Sequence, residues 1–403
     1  MTSLNRCFNI ADLREAARRR LPKGIFEYVD KGSEDQLALN SNLRAFQETK
    51  MLNRVLVDVS DLSLKANVLG SESAMPLIIA PTGVAGICWY HGELELAKAA
   101  AKTGIPFILA TGSSTSIEQM ASDAGGRLWF QLYMWREKQL SYELVQRAAR
   151  ADFEALVWTV DIGHGANREH NLRNGFSVPY KLNMRSAIDA SLHPSWLLSV
   201  MGRYFAKGMP SHVNFPPQYQ HKFTGSATEA KALRADLVSW DDVSKLRDVW
   251  PRKLILKGIM RVDDALQAVA RGVDAIVVSN HGGRNLDSAP GTLEVLPAIV
   301  NAVAGRIPVI VDSGIRRGGD IVKCLALGAD AVLTGRATLY GVAAGGEEGA
   351  LKALSILKDE MRRTMAYVGC RKVSDVDAGV LYEKVHRPRS AEKTLEFGMR
   401  TRG

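Results

Sequence analysis

Eight apolar runs rich in β-branched residues recur along this chain, alternating with segments of helical spacing. The runs are Met75–Pro81, Pro106–Thr111, Leu128–Tyr133, Ala155–Asp161, Lys253–Gly258, Ala275–Asn280, Pro308–Gly314 and Ala331–Arg336. The helical segments include Glu93–Lys102, Ser116–Asp123, Gln139–Ala151, Val262–Arg271, Leu293–Val303 and Asp320–Leu327. A strand reads as an unbroken apolar run when both its faces are covered, as in a parallel sheet flanked by crossover helices. The repetition therefore predicts an α/β chain whose strands close into a (β/α)8 TIM barrel. A doubly wound open sheet fits eight near-equal units less well. With 403 residues and a hydrophobic share of 46%, the chain has the apolar material for one large core.

Residues 1–70 read as a helical extension. Ala11–Leu21 has helical spacing and stops at Pro22. Gly24–Val29 begins a second short segment that Lys31 and Gly32 close, and Asn40–Val59 shows no clear period. The rhythm breaks between the fourth and fifth runs, where Ile162–Arg252 is far longer than one crossover needs. Its end, Ser239–Arg247, reads as the regular helix with Ser239 as N-cap. The remainder, about 182–237, is an insertion. Its stretch Trp196–Lys207 is apolar, aromatic and basic, a composition that suits an active-site lid, a membrane-interface segment or a subunit contact. One domain is expected over 1–385, followed by a polar, basic, flexible tail at 386–403.

The formal net charge of +9 favours anionic partners: phosphate, carboxylates, acidic lipid or nucleic acid. Basic residues do not interleave with aromatics as a nucleic-acid surface would require, so no nucleic acid is expected. Cys7, Cys88, Cys324 and Cys370 are scattered with no Cys-x-x-Cys pair, which suggests neither a disulfide framework nor a metal site. No apolar core of signal-peptide length follows Met1–Arg6, and no run reaches the roughly 20 apolar residues of a spanning helix. A cytoplasmic chain is the expectation.

In barrels of this class the working residues sit at the C-terminal strand ends. The sixth run ends in Ser279-Asn280-His281-Gly282-Gly283-Arg284-Asn285-Leu286-Asp287, which delivers an imidazole and a guanidinium to one strand tip. A base beside a fixed cation suits an acid substrate that must lose a proton. The seventh and eighth runs end in Asp312-Ser313-Gly314-Ile315-Arg316 and Thr334-Gly335-Arg336, small residues with flanking arginines that form a phosphate cradle. No Gly-x-Gly-x-x-Gly follows the first strand, which argues against a nicotinamide cofactor. Lys257 ends the fifth run and needs a negative partner, for which a reduced flavin edge is a candidate. Asp161 ends the fourth, with Arg168 beyond it, and Gln131 and Tyr133 end the third. Any one of Asp161, Gln131 and Tyr133 alone reads as core packing, whereas polar residues at successive strand tips do not.

Together these tips closely resemble the FMN-dependent 2-hydroxy acid dehydrogenase/oxidase family. The resemblance runs from about Ile10 to Leu381. It rests above all on Ser279–Asp287 and on Asp312–Gly318 with Gly335-Arg336. It implies FMN as cofactor and oxidation of an (S)-2-hydroxy acid to the 2-oxo acid. Position by position it implies His281 as catalytic base, Asp161 behind it, and Arg284 and Arg168 gripping the substrate carboxylate with help from Tyr28. Tyr133 is implied at the substrate hydroxyl, and Lys257 beside the anionic reduced flavin. Pro81, Thr82, Gly83, Gln131, Thr159 and Ser279 are implied around the isoalloxazine. Asp312 is implied at the ribityl chain, and Gly314, Arg316, Gly335 and Arg336 at the phosphate.

Within the family, Leu21-Pro22-Lys23, Pro81-Thr82-Gly83, Leu192–Trp196, Gly208-Met209-Pro210 and Gly335–Gly341 are most similar to the (S)-mandelate dehydrogenase branch. That likeness implies mandelate or a related aromatic substrate, with electrons passed to a membrane quinone or respiratory chain. It also implies membrane contact through 182–237 and a peripheral position on the inner face of the cell membrane. Family barrels are commonly tetramers, so a homotetramer is expected. L-Lactate dehydrogenase and an oxygen-using 2-hydroxy acid oxidase are the alternatives. Gly83, Ala110 and Gly112 leave room for a phenyl ring. Two departures stand out. The family usually has Ser where Ala110 stands, so a hydrogen bond to the flavin is lost or supplied by Thr111. The loop Gly163–Asn167 is unlike the family's usual sequence.

Overall fold

The eight apolar runs become the eight strands of one closed parallel barrel in the computed structural model, which describes residues 4–83, 85–177, 184–216, 220 and 238–382. We number them β1 (Leu77–Ile79), β2 (Phe107–Ala110), β3 (Leu128–Leu132), β4 (Ala155–Thr159), β5 (Lys253–Ile259), β6 (Ala275–Val278), β7 (Val309–Val311) and β8 (Ala331–Thr334). Each pairs with the next, and β8 closes on β1 with Val332, Leu333 and Thr334 opposite Leu77, Ile78 and Ile79. Because strand side chains alternate, each run feeds two cores. Ile78, Ile108, Trp129, Val157, Ile255, Val277, Ile310 and Leu333 fill the barrel interior. Their neighbours, such as Ile79, Leu109, Phe130, Trp158, Leu256, Val278 and Val311, pack outward beneath the helices. Each such side chain contributes about 1.5–3 kcal/mol on burial. A short hairpin, Ala66–Val68 with Ser71–Ser73, lies at the opposite end from the site, where Arg127 donates to the Val68 carbonyl at 2.8 Å.

The N-terminal extension is helical, as its sequence predicts. Helix α1 spans Ile10–Arg20 and is capped by the Asn9 side chain, which accepts from the Asp12 N–H at 2.9 Å. Helix α2 spans Lys23–Asp30. The structure corrects the reading of the next stretch: a third helix, α3, spans Leu37–Glu48, overlapping the part that shows no period. Its buried stripe is Ala38, Asn42, Ala45 and Phe46. A polar residue holds a core position there, so hydropathy hides the spacing. Asn42 pairs reciprocally with Asn280 at the end of β6, both bonds 2.9 Å, and accepts from the Thr292 N–H at 3.1 Å. Close approach of α3 depends on Gly283, whose φ is +70° and whose Cβ, if present, would lie 2.4 Å from the Leu39 nitrogen.

The described part of the insertion comprises a helix at Met184–Ser191 and a helical stretch from Pro194 to Lys207 with a π-helical turn at Leu197–Gly202. Trp196, Val200 and Tyr204 form its buried stripe. Trp196 donates to the Ile87 carbonyl at 2.8 Å and Tyr204 to the Gly86 carbonyl at 3.0 Å. Arg20 of α1 reaches the Ser199 hydroxyl at 2.5 Å and the Cys88 and Ala343 carbonyls at 3.1 Å each. Trp196–Lys207 is therefore seated on the helix after β1 (Ala85–Cys88), beside the barrel mouth. Residues 182–183, 217–219 and 221–237 of the insertion, the domain end at 383–385 and the tail 386–403 lie outside the described residues. The helix after the insertion runs Trp240–Val249 and starts where the sequence places it, with the Ser239 N–H donating to the Asp242 carboxylate at 2.9 Å. Among the described residues no helix is long and apolar enough to cross a membrane.

Candidate active site

The C-terminal strand ends open into a cavity of about 320 Å³. The side chains predicted from the sequence converge on it. Tyr28, Pro81, Thr82, Gly83, Tyr133, Thr159, Arg168, Lys257, His281, Arg284, Asp312, Gly314, Arg316, Gly335 and Arg336 all line it. Asp161, Gln131 and Ser279 do not. They stand behind the lining: Asp161 faces His281, Ser279 accepts from Lys257, and Gln131 accepts from the Thr111 N–H.

His281 leaves β6 with a φ of +58°, a left-handed conformation that a residue with a Cβ adopts only under local constraint. The constraint is visible. Its N–H donates to the Ser279 hydroxyl at 3.1 Å, and its Nδ1 faces the Asp161 carboxylate at 3.0 and 3.2 Å. Asp161 is held in turn by Asn285, which donates to its backbone carbonyl at 2.7 Å. Gly258, at φ +113°, is required beside it, because a Cβ there would lie 2.6 Å from the Asp161 Cβ. Burial pushes the His281 imidazole below its ordinary 6.5. Asp161 opposes that shift, while Lys257 and Arg168 reinforce it. Burial works against the Asp161 charge, but His281 and Lys257 more than offset it, and Asp161 stays below the ordinary carboxylate value. At neutral pH the pair is a neutral imidazole oriented by a carboxylate, with Nε2 left to take a proton.

Lys257 is 4% exposed on β5. It donates to the Ser279 hydroxyl at 2.8 Å and lies 3.2 Å from Asp312. Burial disfavours its charge, yet Asp312, Asp161 and Tyr133 outweigh that and raise its pKa. The Ser313 hydroxyl donates to Asp312 at 2.7 Å and accepts from the Gly282 N–H at 2.9 Å, which ties the β7 tip to the loop carrying His281.

Two guanidinium groups face the same space. Arg284 donates to the Tyr28 and Lys31 carbonyls at 2.8 and 2.9 Å, and Arg168 reaches the Arg284 carbonyl at 3.4 Å. Both lie against the Tyr28 ring, with Arg284 5.0 Å and Arg168 5.8 Å from its centroid. Burial, then repulsion from Arg168, pushes Arg284 down to about 9, so it remains cationic at neutral pH. Arg168 Nε is buried without a partner among the described residues. Adjacent half-buried cations demand an anion, and a carboxylate that accepts from both would answer the charge and the geometry. His170, next to this pair, is pushed down to about 4 by burial first and by Arg284 next.

The remaining features fit a flavin. Gln131 Nε2, Thr159 Oγ1 and Thr334 Oγ1 are buried with no partner among the described residues. Such atoms cost about 1–3 kcal/mol each unless something pairs with them, and a polar ring edge or ribityl chain does so. A Cβ at Gly83 or Gly112 would meet nothing within 4 Å, which leaves flat space there. Of the two readings at Ala110, the bonds of Thr111 favour the lost hydrogen bond. The Thr111 hydroxyl donates to the Gln131 carbonyl at 2.6 Å and accepts from the Tyr133 N–H at 3.1 Å, so it is spent on β3. At the β8 end of the cavity, Arg336 gives its N–H groups to the carbonyls of Val29, Gly282 and Lys31 at 2.9, 2.8 and 3.1 Å. It orders the cradle from within. Of the departing loop, His164 and Ala166 line the cavity.

A half-buried base–carboxylate pair, a paired-cation anion site and a flavin-shaped cradle at the mouth of a TIM barrel define a flavin-dependent oxidoreductase. The chain belongs to the FMN-dependent dehydrogenase family, whose model matches residues 17–383, and FMN is its cofactor. It is 42% identical to (S)-mandelate dehydrogenase of Pseudomonas putida over 93% of each chain. It is 39% identical to a putative L-lactate dehydrogenase of Mycobacterium tuberculosis, covering 91% of this chain and 87% of the other. Among solved structures, a monotopic membrane protein, (S)-mandelate dehydrogenase, superposes with a TM-score of 0.89 at 40% identity, over 94% of this chain and 99% of that one.

Several residues that shape the site carry no role in the sequence reading. Asn42, Asn285 and Ser313 act through hydrogen bonds to partners remote in sequence. Asp287 accepts from the Asp35 N–H at 3.0 Å and so holds the start of α3. Asn285, Asp287 and Ser313 stand within the recognised motifs, which was the available signal. Asn42 offered none.

Proposed function

We propose that this enzyme oxidises an (S)-2-hydroxy acid with an aromatic side chain, mandelate or a close relative, to the 2-oxo acid. The observation that carries the reading is the Arg168–Arg284 pair, two half-buried cations beside the neutral His281 that no carboxylate among the described residues pairs with. The arginines fix the substrate carboxylate, Tyr28 supports them, and the 2-position is presented to His281. His281 Nε2 takes the proton, and Asp161 stabilises the imidazolium that results. Tyr133 reaches the substrate oxygen. Lys257 supplies a fixed positive charge at the cofactor edge, flanked by Gln131, Thr159, Ser279 and the Pro81-Thr82-Gly83 turn. Asp312 lies by the ribityl chain, and Gly314, Arg316, Gly335 and Arg336 surround the phosphate. Bound FMN supplies the two-electron acceptor.

Identity to a mandelate dehydrogenase supports the aromatic substrate, as do the small residues Gly83, Ala110 and Gly112. The same likeness supports a membrane quinone as final acceptor and a homotetramer as the assembly. A peripheral membrane position is supported by the apolar residues that the insertion leaves in solvent. Met184, Ile188 and Leu192 recur at helical spacing, and Leu198 and Phe205 are exposed beside the basic Arg203 and Lys207.

The deciding experiment is anaerobic stopped-flow at the oxidised-flavin band, mixing with (S)-mandelate and separately with L-lactate. Fast bleaching by mandelate and slow bleaching by lactate is the expected result. The reverse order would move the enzyme to the lactate dehydrogenases. Rapid reoxidation by oxygen with peroxide release would make it an oxidase.

A further inference from the structure

The insertion does more than pack beside the barrel. Its return limb, residues 211–216, puts His212 and Phe215 into the lining of the cavity that holds His281 and Arg284. These two side chains form a braced unit. The His212 ring stacks on Phe215 with centroids 4.6 Å apart and planes 15° apart. Trp135, just beyond the β3 tip, meets Phe215 edge-on at 4.8 Å and 75°, and it also lines the cavity. A ring fixed by one stacked and one edge-on neighbour has little rotamer freedom left to lose on binding.

The limb has its own fastening. Asn214, between His212 and Phe215, is 1% exposed. Its Oδ1 accepts from the Ile117 N–H and its Nδ2 donates to the Thr115 carbonyl, both at 3.0 Å. A fully paired buried amide fixes the limb to the loop after β2 and so sets where Phe215 stands. Gly112 and Ala110, which line the cavity too, come from the same β2 end. One wall is thus rigid and aromatic, and the strand-derived wall is small and open.

We propose that the return limb is the specificity wall of this enzyme: Phe215, braced by His212 and Trp135, contacts the aryl group at C2 of the substrate. Asn214 is the positioning residue that holds the wall in place. The inference rests on the 2-hydroxy acid reading and names the part of the molecule that selects the side chain. Aryl-bearing substrates gain an aromatic contact that methyl-bearing ones do not reach.

The test uses the FMN-loaded full chain. Phe215→Ala, Phe215→Leu and Asn214→Ala are compared with wild type by anaerobic flavin reduction with (S)-mandelate and L-lactate. In parallel, phenylacetate and acetate are titrated as unreactive ligands by the flavin difference spectrum. Phe215→Ala and Asn214→Ala should raise the half-saturating mandelate concentration about ten-fold, the measured size of a 1.4 kcal/mol loss. Lactate should stay within about two-fold, and phenylacetate, not acetate, should bind more weakly. Phe215→Leu keeps bulk in the wall and guards against a collapsed variant; it should fall between. Equal changes for both substrates, or none, overturn the wall and leave the hydroxy acid reading intact. A wild-type flavin that neither substrate reduces overturns that reading and the wall with it.

Discussion

At the scale of single residues, the site works through opposed electrostatic influences. His281 is neutral because burial outweighs Asp161, and it is positioned because Asp161 is there at all. Proton abstraction needs the unprotonated imidazole. The rate of flavin reduction should therefore rise with pH through a group below 6.5 and be level by neutrality. Asp161→Asn removes the influence that holds the imidazole up, so the acid limb should move to lower pH while the plateau falls. An acid limb that moves upward would count against the assignment. His281→Gln should lower flavin reduction by about 10²–10⁴-fold, the usual worth of a general base, with the FMN spectrum retained. Full turnover in that variant would remove His281 from the mechanism. These residues were legible in the sequence because each ends a strand, where a polar side chain has no structural excuse. The hydrogen-bonded supports, such as Ser313 and Asn285, were not, since a serine or asparagine in a loop declares no partner.

At the scale of elements, the barrel was readable because its strands are buried on both faces, which leaves an unbroken apolar run in the sequence. Amphipathic α1 and the capped helix at Trp240 were readable for a similar reason. Helix α3 was not, because it spends a core position on Asn42. Such a choice disguises the stripe and gives Asn280 its partner. Asn42→Ala should remove one of the two acceptors of the Asn280 amide and the side-chain acceptor of the Thr292 N–H. We expect a loss of about 1–3 kcal/mol in urea unfolding of the FMN-loaded protein, with the flavin still reducible. Unchanged stability would mean that the pair is replaced without cost. The insertion's anchoring by Trp196, Tyr204 and Arg20 also escaped the sequence. Composition marks a segment as apolar and basic but cannot say which of its aromatics turn inward.

At the scale of the whole molecule, charge and pH act together. The net +9 is spent in part inside the site, where Arg168, Arg284, Arg336 and Lys257 concentrate cations against the anionic groups that bind there. His170 is held neutral among them, with a pKa of about 4 in the folded chain against 6.5 for a free imidazole. A group depressed on folding contributes stability that is complete above the unfolded value and fades as pH falls through the folded one. Acidification from pH 6.5 to about 4 should therefore lower the denaturation midpoint. His170→Gln should flatten that decline, and an identical slope in the variant would assign the loss to other groups.

Arg336 and Arg284 tie the carbonyls of Val29, Tyr28 and Lys31 to a region synthesised 253 to 307 residues later. During translation the first helices emerge long before the cations that hold them. They must wait, unfastened, while six of the eight strands are made. A nascent chain arrested before Gly335 should expose the extension to protease, and one released past Arg336 should protect it. An interrupted product would then carry Arg168 and Arg284 without the Arg336 bonds to Val29 and Lys31 that steady the Tyr28 segment beside them.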